Sequence, residues 1–165
     1  MKKTYFSWTD VQHQAQEILR QMHQDGWRPE YVVGLTRGGL TPANLISQYL
    51  DRPMETLKVS LRDGESCESN LWMSEDAFSK KRILIVDDIN DSGATLNWIR
   101  QDWQGSCSAN DTEWAEVWGN NVRIAVLVDN ESSDCELPIS YNAITVYKLE
   151  DPQWIVFPWE EWWQR

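Results

Sequence analysis

Three carboxylates, two hydroxyls and a glycine crowd into residues 87–95, Asp87-Asp88-Ile89-Asn90-Asp91-Ser92-Gly93-Ala94-Thr95, directly after the apolar run 83–86. The second half of this stretch, Asp91 to Thr95 in order, leads straight into a helical pattern. Backbone N–H groups at such a turn can form a nest, and the hydroxyls of Ser92 and Thr95 stand beside it. It can hold a phosphate without any lysine. The paired Asp87 and Asp88 at the strand end suit a different job, gripping a diol or reaching the outer shell of a magnesium ion. A sugar phosphate satisfies the whole set.

A second unusual turn, Thr36-Arg37-Gly38-Gly39, follows the apolar run 31–35. Its glycines let backbone approach a ligand closely, and Arg37 adds donors and positive charge. As a plain helix-entry turn the same residues would also serve, since both glycines suit tight turns. The acidic pair alone could be a solvated strand end or a capping device. The combined string of apolar strand, two acids, two residues, an acid, a hydroxyl, glycine, a small residue and threonine is far more specific than its parts. A P-loop is excluded because GxxxxGK[ST] is absent. A receiver-type domain would need a lone aspartate ending another strand, and the first candidate strand ends in Thr-Arg-Gly-Gly instead.

Both turns must be held by a scaffold, and the apolar periodicity supplies one. Val11, Ala15, Ile18, Leu19 and Met22 recur at helical spacing, with Asp25-Gly26 ending the run. Residues 31–35, 54–61, 83–88, 123–129 and 142–149 read as strands. Residues 40–50 read as a helix with Thr41 able to cap and Pro42 in the first turn, and 94–103 as another helix. The polar stretch 62–81 has few core candidates and reads as a mobile or functional loop. Residues 102–121 read as an insertion, partly helical around EWAEVW. Strands separated by helices predict a mostly parallel five-stranded α/β sheet flanked by helices, with ligands at the carboxyl ends of the strands. Both unusual turns fall on that edge.

Length and charge narrow the classes. At 165 residues the chain is predicted to form a single domain spanning 1–165. A formal charge of −11 repels polyanions, so nucleic acid is not an expected partner and any phosphate must be caught by a local device. Cys67, Cys107 and Cys135 are odd in number and form no CxxC pair, which disfavours a disulfide framework or a zinc site and suits a reducing cytoplasm. No run of about 18 apolar residues is present, so no membrane association is expected. Eleven tryptophans, four of them in the last dozen residues, suggest bulk burial or a subunit interface, hence a homo-oligomer.

The string at 83–95 resembles the PRPP-binding motif of the type I phosphoribosyltransferases. TYFSWTD before the first helix, YVVGLTRGGLTPANLISQYL and DPQWIVFPWE are similar, in order, to segments of the xanthine-guanine branch of that family. The resemblance implies the type I phosphoribosyltransferase fold, with a small hood from the C-terminal segment carrying a base pocket. It implies attack of a base nitrogen, most naturally a purine's, on the anomeric carbon of PRPP with magnesium present, expelling pyrophosphate. Carried over, Asp91, Ser92, Gly93, Ala94 and Thr95 would bind the 5′-phosphate. Asp87 and Asp88 would take the ribose hydroxyls and the metal region, and Thr36, Arg37, Gly38 and Gly39 the pyrophosphate. A cis peptide near Thr36-Arg37 would suit that family. Asp91 would lie near the base as general acid or base, so that Asp91, Asp87 and Asp88 form the catalytic set. The stretch 62–81 would be a flap closing over PRPP, with Arg62 a contact to pyrophosphate. Trp154 would stack on the base, with the Ile155 backbone reading its edge.

One position departs from the pattern. Where the 6-oxopurine enzymes carry a lysine after the fourth strand, this chain has Asp129-Asn130. A carboxylate accepts hydrogen bonds where an ammonium donates them, so Asp129 at the base would favour an amino group or a protonated ring nitrogen over a keto group. Lys148 is a candidate donor from the other side, or a surface lysine. A regulatory protein of the same fold that binds PRPP or a nucleotide without turnover is the alternative reading.

Overall fold

The structure is a computed structural model and describes residues 1–59, 61, 67–107 and 110–165. Helix α1 (Trp8–Asp25) begins at a reciprocal cap: Asp10 N–H donates to Ser7 Oγ (3.0 Å) and Ser7 N–H to the Asp10 carboxylate (2.8 Å). It ends at Gly26, whose φ of 64° lies in the left-handed region. The apolar stripe read from the sequence is the buried one: Val11, Ala15, Ile18 and Met22 face inward.

Five parallel strands form the main sheet in the order β3-β2-β4-β5-β6: β2 (Tyr31–Thr36), β3 (Met54–Lys58), β4 (Ile83–Asn90), β5 (Val122–Asn130) and β6 (Tyr141–Val146). Side chains alternate across a strand, so Leu84 and Val86 join one core and Ile83 and Ile85 the other. The first core lies under α1 and α2 (Leu40–Leu50). The second is covered by α3 (Leu71–Phe78), α4 (Ala94–Ser106) and α5 (Asp111–Ala115). Both faces are covered, which explains why β4 and β5 read as continuous apolar runs rather than alternating ones. Among the described residues no helix is long and apolar enough to cross a membrane.

The structure departs from the sequence reading in five places. Thr41 does not cap α2; the N-cap is Gly39, without a side-chain cap bond. Within 62–81, residues 71–78 are helical: Asn70 caps α3 by accepting from Met73 N–H (2.9 Å), and Met73, Ser74 and Ala77 are buried. Residues 102–106 complete α4, and Trp103, Trp114 and Trp118 stack with centroid separations of 5.7 and 5.5 Å as part of the second core. Lys148 follows β6 in a turn instead of ending the strand. Finally, the small second sheet is not built from the C-terminal segment alone. Strand β1 (Lys2–Tyr5) pairs in parallel with β7 (Gln153–Val156), and the Arg165 guanidinium donates to the carbonyls of Phe6, Val156 and Phe157 beside that sheet.

Candidate active site

Gly34 of β2 is in register with Val86 of β4, so the chain leaving each strand does so side by side. This places Thr36-Arg37-Gly38-Gly39 against Asp87-Asp88. The contact is close: a Cβ on Gly38 would lie 2.2 Å from Asp88 Oδ2, and one on Gly39 2.3 Å from the Val86 carbonyl. The glycines serve the neighbouring strand as much as any ligand. The Thr36–Arg37 peptide is cis. Thr36 is half-buried, Arg37 is exposed, and Gly39 N–H donates to Leu35 O (2.8 Å).

The carboxylates are fixed by backbone donors. Asp87 Oδ1 accepts from Asp88 N–H (2.9 Å), and Asp88 Oδ1 from Ile89 N–H (2.7 Å). Asp88 is 9% exposed. After Asn90 the chain turns through Asp91 and Ser92 into Gly93, the N-cap of α4, at φ 89°. No cap side chain bonds the first turn of α4; Ala94 N–H donates to Ser92 Oγ (3.2 Å). A helix N-terminus without a side-chain cap has first-turn amides and a partial positive charge to offer an anion.

A strap after β5 holds this turn in place. Asp134 N–H donates to Ser92 O (3.0 Å), and Asn97 of α4 links to both Asp134 O (2.9 Å) and Glu136 N–H (2.7 Å). Asn130 is the central brace. Its Nδ2 donates to Asp91 O (2.8 Å), and its Oδ1 accepts from Lys148 N–H (3.1 Å) and from Ser132 N–H and Oγ. Lys148 Nζ lies 2.8 Å from Asp91 Oδ1 in an ion pair whose side chains are 18% and 35% exposed. Asp129 Oδ1 accepts from Asn90 Nδ2 (2.8 Å), which also donates to Ser133 Oγ (2.9 Å). Asp129, Asn90, Ser133 and Cys135 line an open pocket of about 260 Å³ at the ends of β4 and β5. Burial pushes the Cys135 thiol up, so it remains a neutral group facing Leu137 O (3.4 Å).

The structure thus brings together Asp87, Asp88, Asp91, Ser92, Gly93, Ala94, Thr95 and the 36–39 turn on one edge. Asp129 is adjacent to Asn90 across the β4–β5 pair. Trp154 is 43% exposed on β7, whereas the Ile155 side chain is buried in the first core. Arg62 lies outside the described residues. Asn90, Asn130 and Ser133 were not singled out from the sequence. Asn130 and Ser133 lie in the run Asp129-Asn130-Glu131-Ser132-Ser133, which is turn chemistry, and Asn90 lies inside the 87–95 string.

Magnesium is tested by the donor set. Among the described residues no three or more His, Cys, Asp or Glu side chains gather as a metal cage. Magnesium, however, keeps several waters and is held by one or two carboxylates plus substrate phosphates. Asp87 and Asp88 beside a helix N-terminus without a side-chain cap fit an ion that arrives with its phosphate ligand.

Fold and site together define an α/β protein with an acidic strand end and a helix N-terminus side by side at the carboxyl edge of a parallel sheet. A family model described as the phosphoribosyl transferase domain matches residues 3–165, and the chain belongs to that family. It is similar to a xanthine-guanine phosphoribosyltransferase of Roseobacter denitrificans, 26% identical over 96% of this chain and 86% of the relative. It is also similar to one of Cereibacter sphaeroides, 32% identical over 60% of this chain; that match spans 64% of the relative's own length. Among solved structures, a purine phosphoribosyltransferase from Pyrococcus horikoshii superposes with a TM-score of 0.68 at 24% identity, covering 98% of this chain and 96% of that one, which is a likeness of fold.

Proposed function

We propose that the protein transfers the 5-phosphoribosyl group of PRPP to a purine base and releases pyrophosphate. The observation that carries this is the close packing of the 36–39 turn against Asp88, with the acidic pair Asp87-Asp88 and a helix N-terminus without a side-chain cap beside it on one edge. The names of the relatives support purine as the acceptor class.

Each residue has a job in that reaction. The amides at the start of α4, with Ser92 and Thr95, anchor the 5′-phosphate and fix the ribose. Asp87 and Asp88 face the ribose hydroxyls, where their charge tolerates the oxocarbenium-like character that grows as the anomeric bond breaks. The 36–39 amides, with Arg37 and Arg62, hold the departing diphosphate. Bound magnesium would be held by Asp87 and Asp88 and would supply charge neutralisation for that leaving group. The base nitrogen forms the new bond to the anomeric carbon, and Asp91 takes the proton that this nitrogen sheds. Trp154 offers an aromatic face to the base, and Ile155 its backbone. One domain, cytoplasmic and working as a homo-oligomer, completes the reading; the exposed Trp162 and Trp163 suit a subunit contact.

Pyrophosphate release from PRPP in the presence of magnesium should depend on an added purine. A panel of purines and pyrimidines that leaves PRPP intact would overturn the proposal. Gly38→Ala is expected to weaken PRPP–magnesium affinity by about tenfold or more, because the new methyl group must displace the Asp88 carboxylate. Affinity measured by calorimetry checks this, with magnesium-free ribose 5-phosphate as the control that should stay unchanged.

A further inference from the structure

We infer that Asn130 is the positioning residue for the Asp91 carboxylate: one buried side-chain amide fixes both the backbone of Asp91 and the backbone of the lysine that grips it. The inference deepens the proposed function and rests on it for the role of Asp91 as proton acceptor.

Asp91 stands on the turn between β4 and α4 with its side chain 35% exposed, where a carboxylate on two rotatable bonds would sweep several orientations. A closed ring of contacts removes that freedom. Asn130 Nδ2 donates to Asp91 O (2.8 Å), and Asn130 Oδ1 accepts from Lys148 N–H (3.1 Å). Nζ of the same lysine lies 2.8 Å from Asp91 Oδ1. Backbone and carboxylate of Asp91 are thus held from one point at the end of β5, the carboxylate by way of the turn that follows β6.

The ring needs a donor and an acceptor on one short side chain, which is what an asparagine amide supplies. Asn130 is buried, and its Oδ1 also accepts from Ser132 N–H (3.2 Å) and Ser132 Oγ (2.6 Å). An aspartate in its place would have no donor for Asp91 O. The strap around the amide has main-chain bonds of its own. Glu131 N–H donates to Val146 O (2.9 Å), Ser133 N–H to the Asn130 carbonyl (3.0 Å), and Asp134 N–H to Ser92 O (3.0 Å). The ring can therefore be opened at the Asn130 side chain while the strap and the 92–95 turn keep these supports.

The test opens the ring in the full chain and compares binding with turnover. In Asn130→Ala, PRPP–magnesium affinity by calorimetry should stay within about threefold of wild type. The turnover number kcat should fall by about 10- to 100-fold, as for a catalytic group displaced by about 1 Å. Asn130→Asp keeps the shape and the acceptor but not the donor, and should lose kcat to a similar extent. Wild-type turnover in Asn130→Asp would overturn the inference, as would an equal loss of affinity and kcat in both variants. Because Asn130 acts through Asp91, adding Asn130→Ala to Asp91→Asn should lower kcat by less than about threefold further; two losses that multiply would assign the amide a purely structural role and overturn the inference. Hydrogen exchange gives a reading without turnover. In Asn130→Ala, residues 91–94 and 147–149 should both exchange about tenfold faster or more, as when a bond to a buried amide is lost, while 83–86 and 124–127 keep their protection. Unchanged protection at either end overturns the inference. If wild type converts no base but the paired loosening is seen, the transferase reading falls and the ring stands. If bases are converted and the loosening is absent, the ring falls and the transferase stands; neither conversion nor loosening overturns both.

Discussion

Gly93→Val is expected to abolish PRPP binding, lowering affinity by about 100-fold or more, and to lower the thermal midpoint at the same time. Two independent penalties meet at this residue. Its φ of 89° is a conformation that a β-branched side chain avoids, at a cost of about 1–3 kcal/mol. A Cβ there would also lie 2.4 Å from Cys135 N and 2.7 Å from Cys135 Cα. These are backbone atoms, so no side chain can swing aside; the 131–136 strap itself must lift. Lifting it strains the bonds from Asp134 to Ser92 and from Asn97 to the strap, and the phosphate turn loses its rear support. Titration calorimetry with PRPP and magnesium, together with a melting curve, measures both penalties. Affinity within threefold of wild type would show that the turn does not carry the phosphate.

Asp91→Asn should behave differently. The amide has nearly the same shape, and its oxygen can still accept from Lys148, so the turn stays in place and PRPP affinity should change by less than about threefold. What disappears is the ability to take a proton from the base nitrogen. A positioned acid or base contributes on the order of 10²- to 10⁴-fold, and kcat should fall within that range. Steady-state kinetics alongside PRPP binding separates the two effects. An equal loss in kcat and in binding would assign Asp91 to holding the ligand instead of moving a proton.

Whatever depends on neighbours in sequence was legible there. The strands around Val32, Ile85 and Val126 are unbroken apolar runs because both faces of the sheet are covered. The 91–95 turn is one contiguous string whose glycine and hydroxyls point to a phosphate. The α1 stripe was readable for the same reason. Other features depend on distant partners and left little trace. Helix α3 is short and mixed in character; it is fixed by the Asn70 cap and by Ser74 Oγ donating to Trp103 O (2.5 Å). Strand β1, Lys2-Lys3-Thr4-Tyr5, has no apolar pattern of its own and exists through its pairing with β7. The same holds for the site. Asp129 could be located from the sequence, but the Asn90 amide that claims its carboxylate could not. Lys148 could be named as a candidate donor, but only the Asn130 brace and the ion pair to Asp91 distinguish it from an ordinary surface lysine.

The pairing of β1 with β7 sets an order of assembly. Contacts within the β2–α2–β3 and β4–α4–β5 units close over short stretches of chain, whereas β1 must wait for a segment near the other end of the sequence, and long loops close slowly. The edge that carries the 36–39 and 91–95 turns can therefore be complete while the β1–β7 sheet that carries Trp154 is still unformed.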